Sequence, residues 1–274
     1  MDSARYGEEF MVWSDLETAI SHAVDHDELV LRYQPIISVR TGALEGFEAL
    51  VRWDRPGLGL LPPAEFIPAA EESALICEID TWVLNNATEQ AAAWISTHGP
   101  RSLTMAVNVS GRHINAPRIR DDVANALRRS GLDPGLLVVE VTETVLVGDV
   151  LAVANLWELR RMGVSLSLDD FGTGHSTVAQ LSRLPLDIVK IDRSYLDVET
   201  TASRERFRSM VDTIRAFGLP MVAEGVEHTD QFELLRETGV ESAQGFALGR
   251  PLTAAEVDDH WLSNIPSGRI SDVY

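Results

Sequence analysis

The stretch Ser165–Gly174, SLSLDDFGTG, sets two carboxylates, Asp169 and Asp170, side by side after the alternating apolar run Val164–Leu168. The run reads as a buried strand, and Phe171-Gly172-Thr173-Gly174 as the loop that ends it. Adjacent acids repel, so a cation is expected beside them, with a divalent metal the simplest choice. The plain alternative is a solvated turn carrying two exposed acids. Other polar residues interrupt apolar runs in the same way: Asn108 in MAVNVS, Glu140 in LVVEVTE, Lys190 in DIVKID and Glu224 in PMVAEGV. A charge buried in such a run needs a partner or a metal. The donors are carboxylates and an amide, with no cysteine among them, and the histidines read as unclustered, with no H-x-x-x-H pair expected to compete for a metal. Hard oxygen donors favour Mg²⁺ or Mn²⁺ over Zn²⁺, and a two-ion site suits phosphoester hydrolysis.

These residues need elements to carry them. Ser14–His26 has helical spacing. Val30–Ile37 and Leu44–Trp53 read as strands whose connection is too short for a parallel crossover, so they form an antiparallel hairpin. Arg55–Pro63 reads as a Gly/Pro loop, and Ala64–Glu72 and Leu75–Thr97 as helices. Strands then follow at Leu103–Val109, Leu136–Thr142, Val164–Asp169, Asp187–Ile191, Pro220–Glu224 and Ser242–Phe246. Helical stretches alternate with them at Arg118–Arg129, Val150–Met162, Ser176–Arg183, Arg204–Phe217 and Asp230–Glu237, and Ala254–Leu262 closes the series.

Strand–helix alternation on this scale predicts an α/β fold, a modified TIM-type (β/α)8 barrel with one antiparallel strand in the opening hairpin. An open doubly wound sheet is the alternative, and no G-x-G-x-x-G loop follows the first strand to support it. Residues 1–13 read as a leader or linker, 14–262 as the barrel domain and 263–274 as a polar tail. A barrel of this kind keeps its active site at the carboxyl ends of its strands. Those ends present Glu48 and Arg52, Asn108 and Ser110, Glu140 and Glu143, Asp169 and Asp170, Lys190 and Asp192, Glu224 and Glu227, and Gln244.

Among 274 residues, 42 are Asp or Glu and 23 Lys or Arg, a net charge of −19. Such a surface argues against duplex nucleic acid and anionic membranes as partners. The single cysteine, Cys77, sits in a helix-like stretch and reads as packing, which suits a reducing cytoplasm. The opening MDSARYGEEF has no apolar core, so it is not a signal peptide. No apolar run approaches the ~20 residues of a membrane span, so no membrane contact is expected from this chain.

The segment Glu48-Ala49-Leu50-Val51-Arg52 resembles the E-A-L-x-R signature of the EAL-domain family, the cyclic di-GMP phosphodiesterases. Tyr33-Gln34-Pro35-Ile36, Phe66-Ile67-Pro68, Asn108-Val109-Ser110, Glu140-Val141-Thr142-Glu143, Asp169–Gly174, Lys190-Ile191-Asp192, Glu224-Gly225-Val226-Glu227 and Gln244-Gly245-Phe246 follow in that family's order. The resemblance implies metal ligands at Glu48, Asn108, Glu140, Asp169, Asp170 and Glu224, for Mg²⁺ or Mn²⁺, two ions per site. It implies that Lys190 holds the attacking water, that Glu143 pins the loop after the fifth strand and that Glu227 and Gln244 support substrate and water. Gln34, Leu50, Arg52, Asp192 and Gln244 are implied contacts to the dinucleotide. The implied reaction is in-line attack of metal-activated water on one phosphodiester of cyclic di-GMP, giving linear pGpG. A homodimer, and a sensory or cyclase domain outside this chain, are the implied partners. A catalytically silent cyclic di-GMP receptor is the alternative, and another metal-dependent barrel enzyme a third. His175 departs from the family's usual aromatic, which bears on loop packing and dimerisation.

Overall fold

Strand β1 (Leu29–Ser38) turns through Thr41-Gly42 into β2 (Leu44–Arg55), and the two pair antiparallel with Gln34 opposite Glu48. The chain is seen in a computed structural model that describes residues 16–99, 102–142, 150–172, 181–198 and 200–263. The expected leader, Glu143, His175, the start of the stretch Ser176–Arg183 and the tail from residue 264 onward lie outside the described residues.

From β2 the sheet continues through parallel neighbours: β4 (Thr104–Asn108), β5 (Leu137–Thr142), β6 (Ser165–Phe171), β7 (Ile188–Ile191), β8 (Met221–Ala223) and β9 (Ser242–Ala243). The strand β9 then pairs antiparallel with β1, so the ring closes on itself. Eight strands make the barrel, with β1 opposed to the other seven. The open-sheet alternative is thereby excluded. One addition departs from the sequence reading: the Gly/Pro loop contains a short strand, β3 (Gly59–Leu61), paired with Trp53–Arg55. Its side chains are largely exposed, so no hydrophobic alternation marked it.

Strand side chains alternate between faces, so residues two apart share the barrel interior. Ile36, Ala106, Val138, Ile188 and Val222 form a small apolar cluster there. Two residues toward the carboxyl ends of β4, β5, β7 and β8 stand Asn108, Glu140, Lys190 and Glu224. On the opposed strand β1, Gln34 occupies the equivalent place. The polar rim therefore rests on an apolar plug. Gly46 shares this face on β2, where an added Cβ would come within 2.2 Å of Thr104 Oγ1, so only glycine lets β2 and β4 approach as they do.

The opposite strand faces and the surrounding helices make the larger core. The helix Leu75–His98 crosses the hairpin, with Trp94 against Tyr33 and Phe47 at ring-centroid distances of 4.9 and 5.1 Å. Cys77 is buried in this helix, and burial pushes its thiol up. The expected helix Ala64–Glu72 is split at Phe66 into a turn at Pro63–Glu65 and a helix at Ile67–Glu71. Pro68 has no N–H to continue the first turn into the second. The helix Thr201–Ala216 starts earlier than its apolar spacing suggested, because Thr200 and Ser203 cap each other.

A buried polar cluster joins three elements behind β4. His113, fully buried, has Nε2 2.9 Å from Asp122 Oδ2 and Nδ1 3.4 Å from Asp80 Oδ2. Asp80 also accepts from Ser110 N and Oγ at 2.9 and 2.6 Å. The substitution His113→Ala leaves a void and takes the Nε2 partner from Asp122, while Asp80 keeps its two donors from Ser110. It is expected to cost about 3 kcal/mol of stability, read by urea denaturation.

Candidate active site at the barrel rim

Lys190 is the centre of the rim. Only 1% of its side chain is exposed, and its Nζ lies 2.6 Å from Glu224 Oε1, 2.9 Å from Glu140 Oε2, 3.4 Å from Glu48 Oε2 and 3.5 Å from Asp169 Oδ1. Those acids arrive from β2, β5, β6 and the residue after β8, within a lumen narrow enough for all four to reach one ammonium. Asn108 Nδ2 donates to Glu48 Oε1 at 2.7 Å, which leaves the amide oxygen of Asn108 for another partner. Gln244 Nε2 donates to Glu48 Oε2 at 2.7 Å and to Gln34 Oε1 at 2.9 Å, and Gln34 Nε2 donates to Gly249 O at 3.1 Å.

The titration behaviour follows from crowding in low dielectric. Burial opposes the charge on Lys190, but Glu140, Glu48, Asp169 and Glu224 outweigh it and hold the ammonium well above its usual range. Burial likewise opposes Glu48, yet Lys190 and the donors Gln244 and Asn108 hold its carboxyl below the usual range. Burial pushes Glu140 well above it despite Lys190, with Glu48 and Asp169 adding repulsion. Glu224 is pushed up to about 7, again by burial first, against the pull of Lys190 and with Asp169 and Glu48 adding. One lysine among four acids leaves negative charge uncompensated. The protein thus keeps a site whose electrostatics favour an added cation.

Asp170 is set apart from this ring by the backbone. The β6–β7 register breaks between Leu168 and Phe171, and Asp170 takes φ 56°, a left-handed conformation rare outside glycine. Asp169 Oδ1 accepts from Asp170 N at 2.9 Å. The bulge turns Asp170 to join Asp169 and Glu224, and one carboxylate oxygen from each lies within 4.8 Å of the others. With Glu48, Asn108 and Glu140 alongside, the donor set is all oxygen, as a hard divalent cation such as Mg²⁺ or Mn²⁺ requires. The amide oxygen of Gln244 is buried with no donor among the described residues, a further free oxygen at the rim. The histidines are not all unclustered, contrary to the sequence reading: His22, in the helix at 16–25, and His26, just past its end, are an H-x-x-x-H pair whose rings stack 3.6 Å apart, and His22 Nδ1 lies 3.3 Å from Glu28 Oε1.

Two cavities flank the ring and share Leu50. One, of about 330 Å³, is lined by Gln34, Glu48, Asp192, Glu224, Glu227 and Phe246 among others. The other, of about 620 Å³, includes Asn108, Ser110, Glu140, Asp80 and Arg112 in its walls. Both fall in the size range of small-molecule sites. Of the residues singled out in the sequence, Gln34, Glu48, Leu50, Asn108, Glu140, Asp169, Asp170, Lys190, Asp192, Glu224, Glu227 and Gln244 meet at this rim. Arg52 stands apart from the cavity walls. It shares the face of Glu48 four residues along β2, half-buried, with Nη1 donating to Val51 O at 2.8 Å. Burial first, and then neighbouring Arg32, hold its guanidinium below the usual range. Asp80, missed by the sequence reading, lines the larger cavity; its signal was an acid inside the apolar helix run LICEID.

The fold and the rim define a closed β/α barrel with an acidic, lysine-centred site at the carboxyl ends of its strands. Residues 17–251 match the profile of the EAL domain, and the chain belongs to the EAL-domain family. It is 40% identical over 243 residues to the bifunctional diguanylate cyclase/cyclic di-GMP phosphodiesterase MucR of Pseudomonas aeruginosa, a match covering 87% of this chain and 35% of that protein. It is 39% identical over 248 residues to the cyclic di-GMP phosphodiesterase NbdA of the same bacterium, covering 89% of this chain and 31% of that one. The solved structure of the MucR phosphodiesterase in complex with c-di-GMP aligns with a TM-score of 0.84 at 38% identity, covering 89% of this chain and 99% of the other. The chain spans about a third of the length of the curated relatives it matches. Among the described residues, no helix is long and apolar enough to cross a membrane.

Proposed function

We propose that this chain hydrolyses cyclic di-GMP to linear pGpG with the help of divalent ions. The observation that carries the reading is the convergence of Glu48, Glu140, Asp169 and Glu224 on Lys190, with Asn108 and Asp170 at the same rim. Glu48, Asn108, Glu140, Asp169, Asp170 and Glu224 would hold two Mg²⁺ or Mn²⁺ ions. What such ions supply when bound is charge neutralisation at the phosphodiester and a more acidic water for in-line attack.

The chain's own groups do the rest. Lys190 orients the attacking water and keeps a positive charge beside the developing negative charge of the phosphorane-like transition state. Arg52 offers a guanidinium to a phosphate oxygen, which a protein of net charge −19 otherwise repels. Gln244 holds Glu48 in place and is itself held by Gln34, and both, with Leu50 and Asp192, contact the dinucleotide. Glu227 supports substrate and water from the turn after β8, and the role assigned to Glu143 is to pin the loop that follows Asp169 and Asp170. Two cavities meeting at Leu50 suit a ligand with two bases on one phosphate ring. The working unit is residues 14–262, acting as a homodimer in the cytoplasm under a sensory or cyclase domain outside this chain. Relatives about three times as long support that last point.

The test is incubation of the purified chain with cyclic di-GMP and Mn²⁺, followed by mass spectrometry. Linear pGpG is expected, and none in EDTA. Tight binding with the ring recovered intact after prolonged incubation would replace the enzyme by a receptor.

A further inference from the structure

The bulge that aims Asp169 and Asp170 is strained and leaves the ladder, so something must hold it. The turn that follows β7 does. Asp192 Oδ1 accepts from Ser194 N at 3.0 Å and fixes that turn, which brings Tyr195 under the end of β6. Tyr195 Oη donates to Gly172 O at 3.0 Å, two residues past Asp170. Gly172 has φ 102°, and a Cβ there would meet the Tyr195 ring and Met210 at 2.6 Å. The tyrosine is thus both a donor and a close-fitting wall. Its outer face is covered by the helix Thr201–Ala216, from which Arg206 stacks over the ring at 5.7 Å and Met210 packs beside it. Between this contact and Phe171, which pairs with Ile191, the bulge is clamped on its carboxyl side.

We propose that Tyr195 is a positioning residue for the Asp169–Asp170 half of the metal site, acting through the carbonyl of Gly172. It touches neither metal nor dinucleotide. Its hydroxyl fixes the Gly172 carbonyl, two residues after the strained Asp170, and with Phe171 paired to Ile191 this limits how far the Asp170 carboxylate can turn. The inference rests on the metal-dependent reading above, and it has consequences that do not need that reading.

The variant Tyr195→Phe removes one oxygen and keeps the ring packed against Gly172, Met210 and Arg206. Three measurements on the whole chain decide. In EDTA, amide hydrogen exchange over residues 169–172 should speed up by about threefold to tenfold, the worth of one partly buried hydrogen bond, while the core strands stay protected. Titration with Mn²⁺ alone should show affinity weakened by a similar factor. Turnover of cyclic di-GMP should fall at limiting Mn²⁺ and recover at saturating Mn²⁺, with KM for the dinucleotide unchanged. Unchanged exchange together with a superimposable Mn²⁺ titration would overturn the role of Tyr195 and leave the phosphodiesterase reading standing. A wild-type chain that binds no Mn²⁺ would overturn that reading, and accelerated exchange in the variant would then still establish the clamp. A general loss of protection across the core strands would show a merely structural role and count against the proposal.

Discussion

Lys190→Met should unfold the metal-free chain more readily than any other single change at the rim. The thioether replaces the ammonium at similar length but leaves Glu48, Glu140, Asp169 and Glu224 facing one another with no cation. Breaking a buried ion pair on one side costs about 3–5 kcal/mol, and here one cation faces four carboxyl groups. The sign of the pH dependence follows. Glu140 and Glu224 are already pushed up in the wild type, Glu224 to about 7, and without Lys190 each rises further. Carboxyls with raised folded-state pKa values contribute stability while protonated, and that contribution is lost as pH rises through them. Urea melts of the variant in EDTA should therefore show higher stability at pH 5.5 than at pH 8. Added Mn²⁺ should rescue the variant at pH 8 more than it stabilises the wild type, because the ion takes over the neutralisation that the lysine performed. Turnover should fall at least about 100-fold even when the fold is rescued, since a divalent ion does not replace a group that orients water. Equal stability of variant and wild type in EDTA at pH 8 would contradict the ion-pair account.

Glu48→Gln is expected to have a different profile, with a large loss of turnover and a smaller loss of stability than Lys190→Met. Lys190 keeps Glu140, Asp169 and Glu224, but an amide oxygen facing Asn108 Nδ2 turns the new NH2 group onto Gln244 Nε2, donor against donor. Stability in EDTA should fall by about 1–3 kcal/mol, the cost of leaving one buried donor unpaired. Hydrolysis of cyclic di-GMP at saturating Mn²⁺ should fall by at least about 100-fold, because a charged donor is replaced by a neutral one. Binding of the dinucleotide in EDTA should persist. Turnover near the wild-type rate in this variant would remove Glu48 from the chemistry.

The pairing of these two residues was not visible in the sequence, although each was. Apolar alternation located six parallel strands and the opening hairpin, because a strand buried on both faces leaves long apolar runs in which Asn108, Glu140, Lys190 and Glu224 stand out. That they share the interior face follows only once the closed barrel supplies the neighbours Ala106, Val138, Ile188 and Val222 two residues before them. Strand ends were less legible: β8 and β9 are ladders of three and two residues, so Glu224 and Gln244 lie just past them rather than inside. The strand β3 escaped because its side chains face solvent. The left-handed Asp170 escaped because its conformation is set by the break in β6–β7 pairing, a tertiary event. The hydrogen bond from Tyr195 to Gly172 joins residues 23 apart through the fold and has no local signature at all. The family motifs located the residues that meet at the rim, while the way Lys190 balances four acids is a property of the closed barrel.

The most direct test is diffraction from crystals of the chain grown with Mn²⁺, measured for anomalous scattering at the manganese edge. Two anomalous peaks enclosed by Glu48, Asn108, Glu140, Asp169, Asp170 and Glu224 are the expected result. A rim with no peak, occupied only by the Lys190 ammonium at saturating Mn²⁺, would contradict the account.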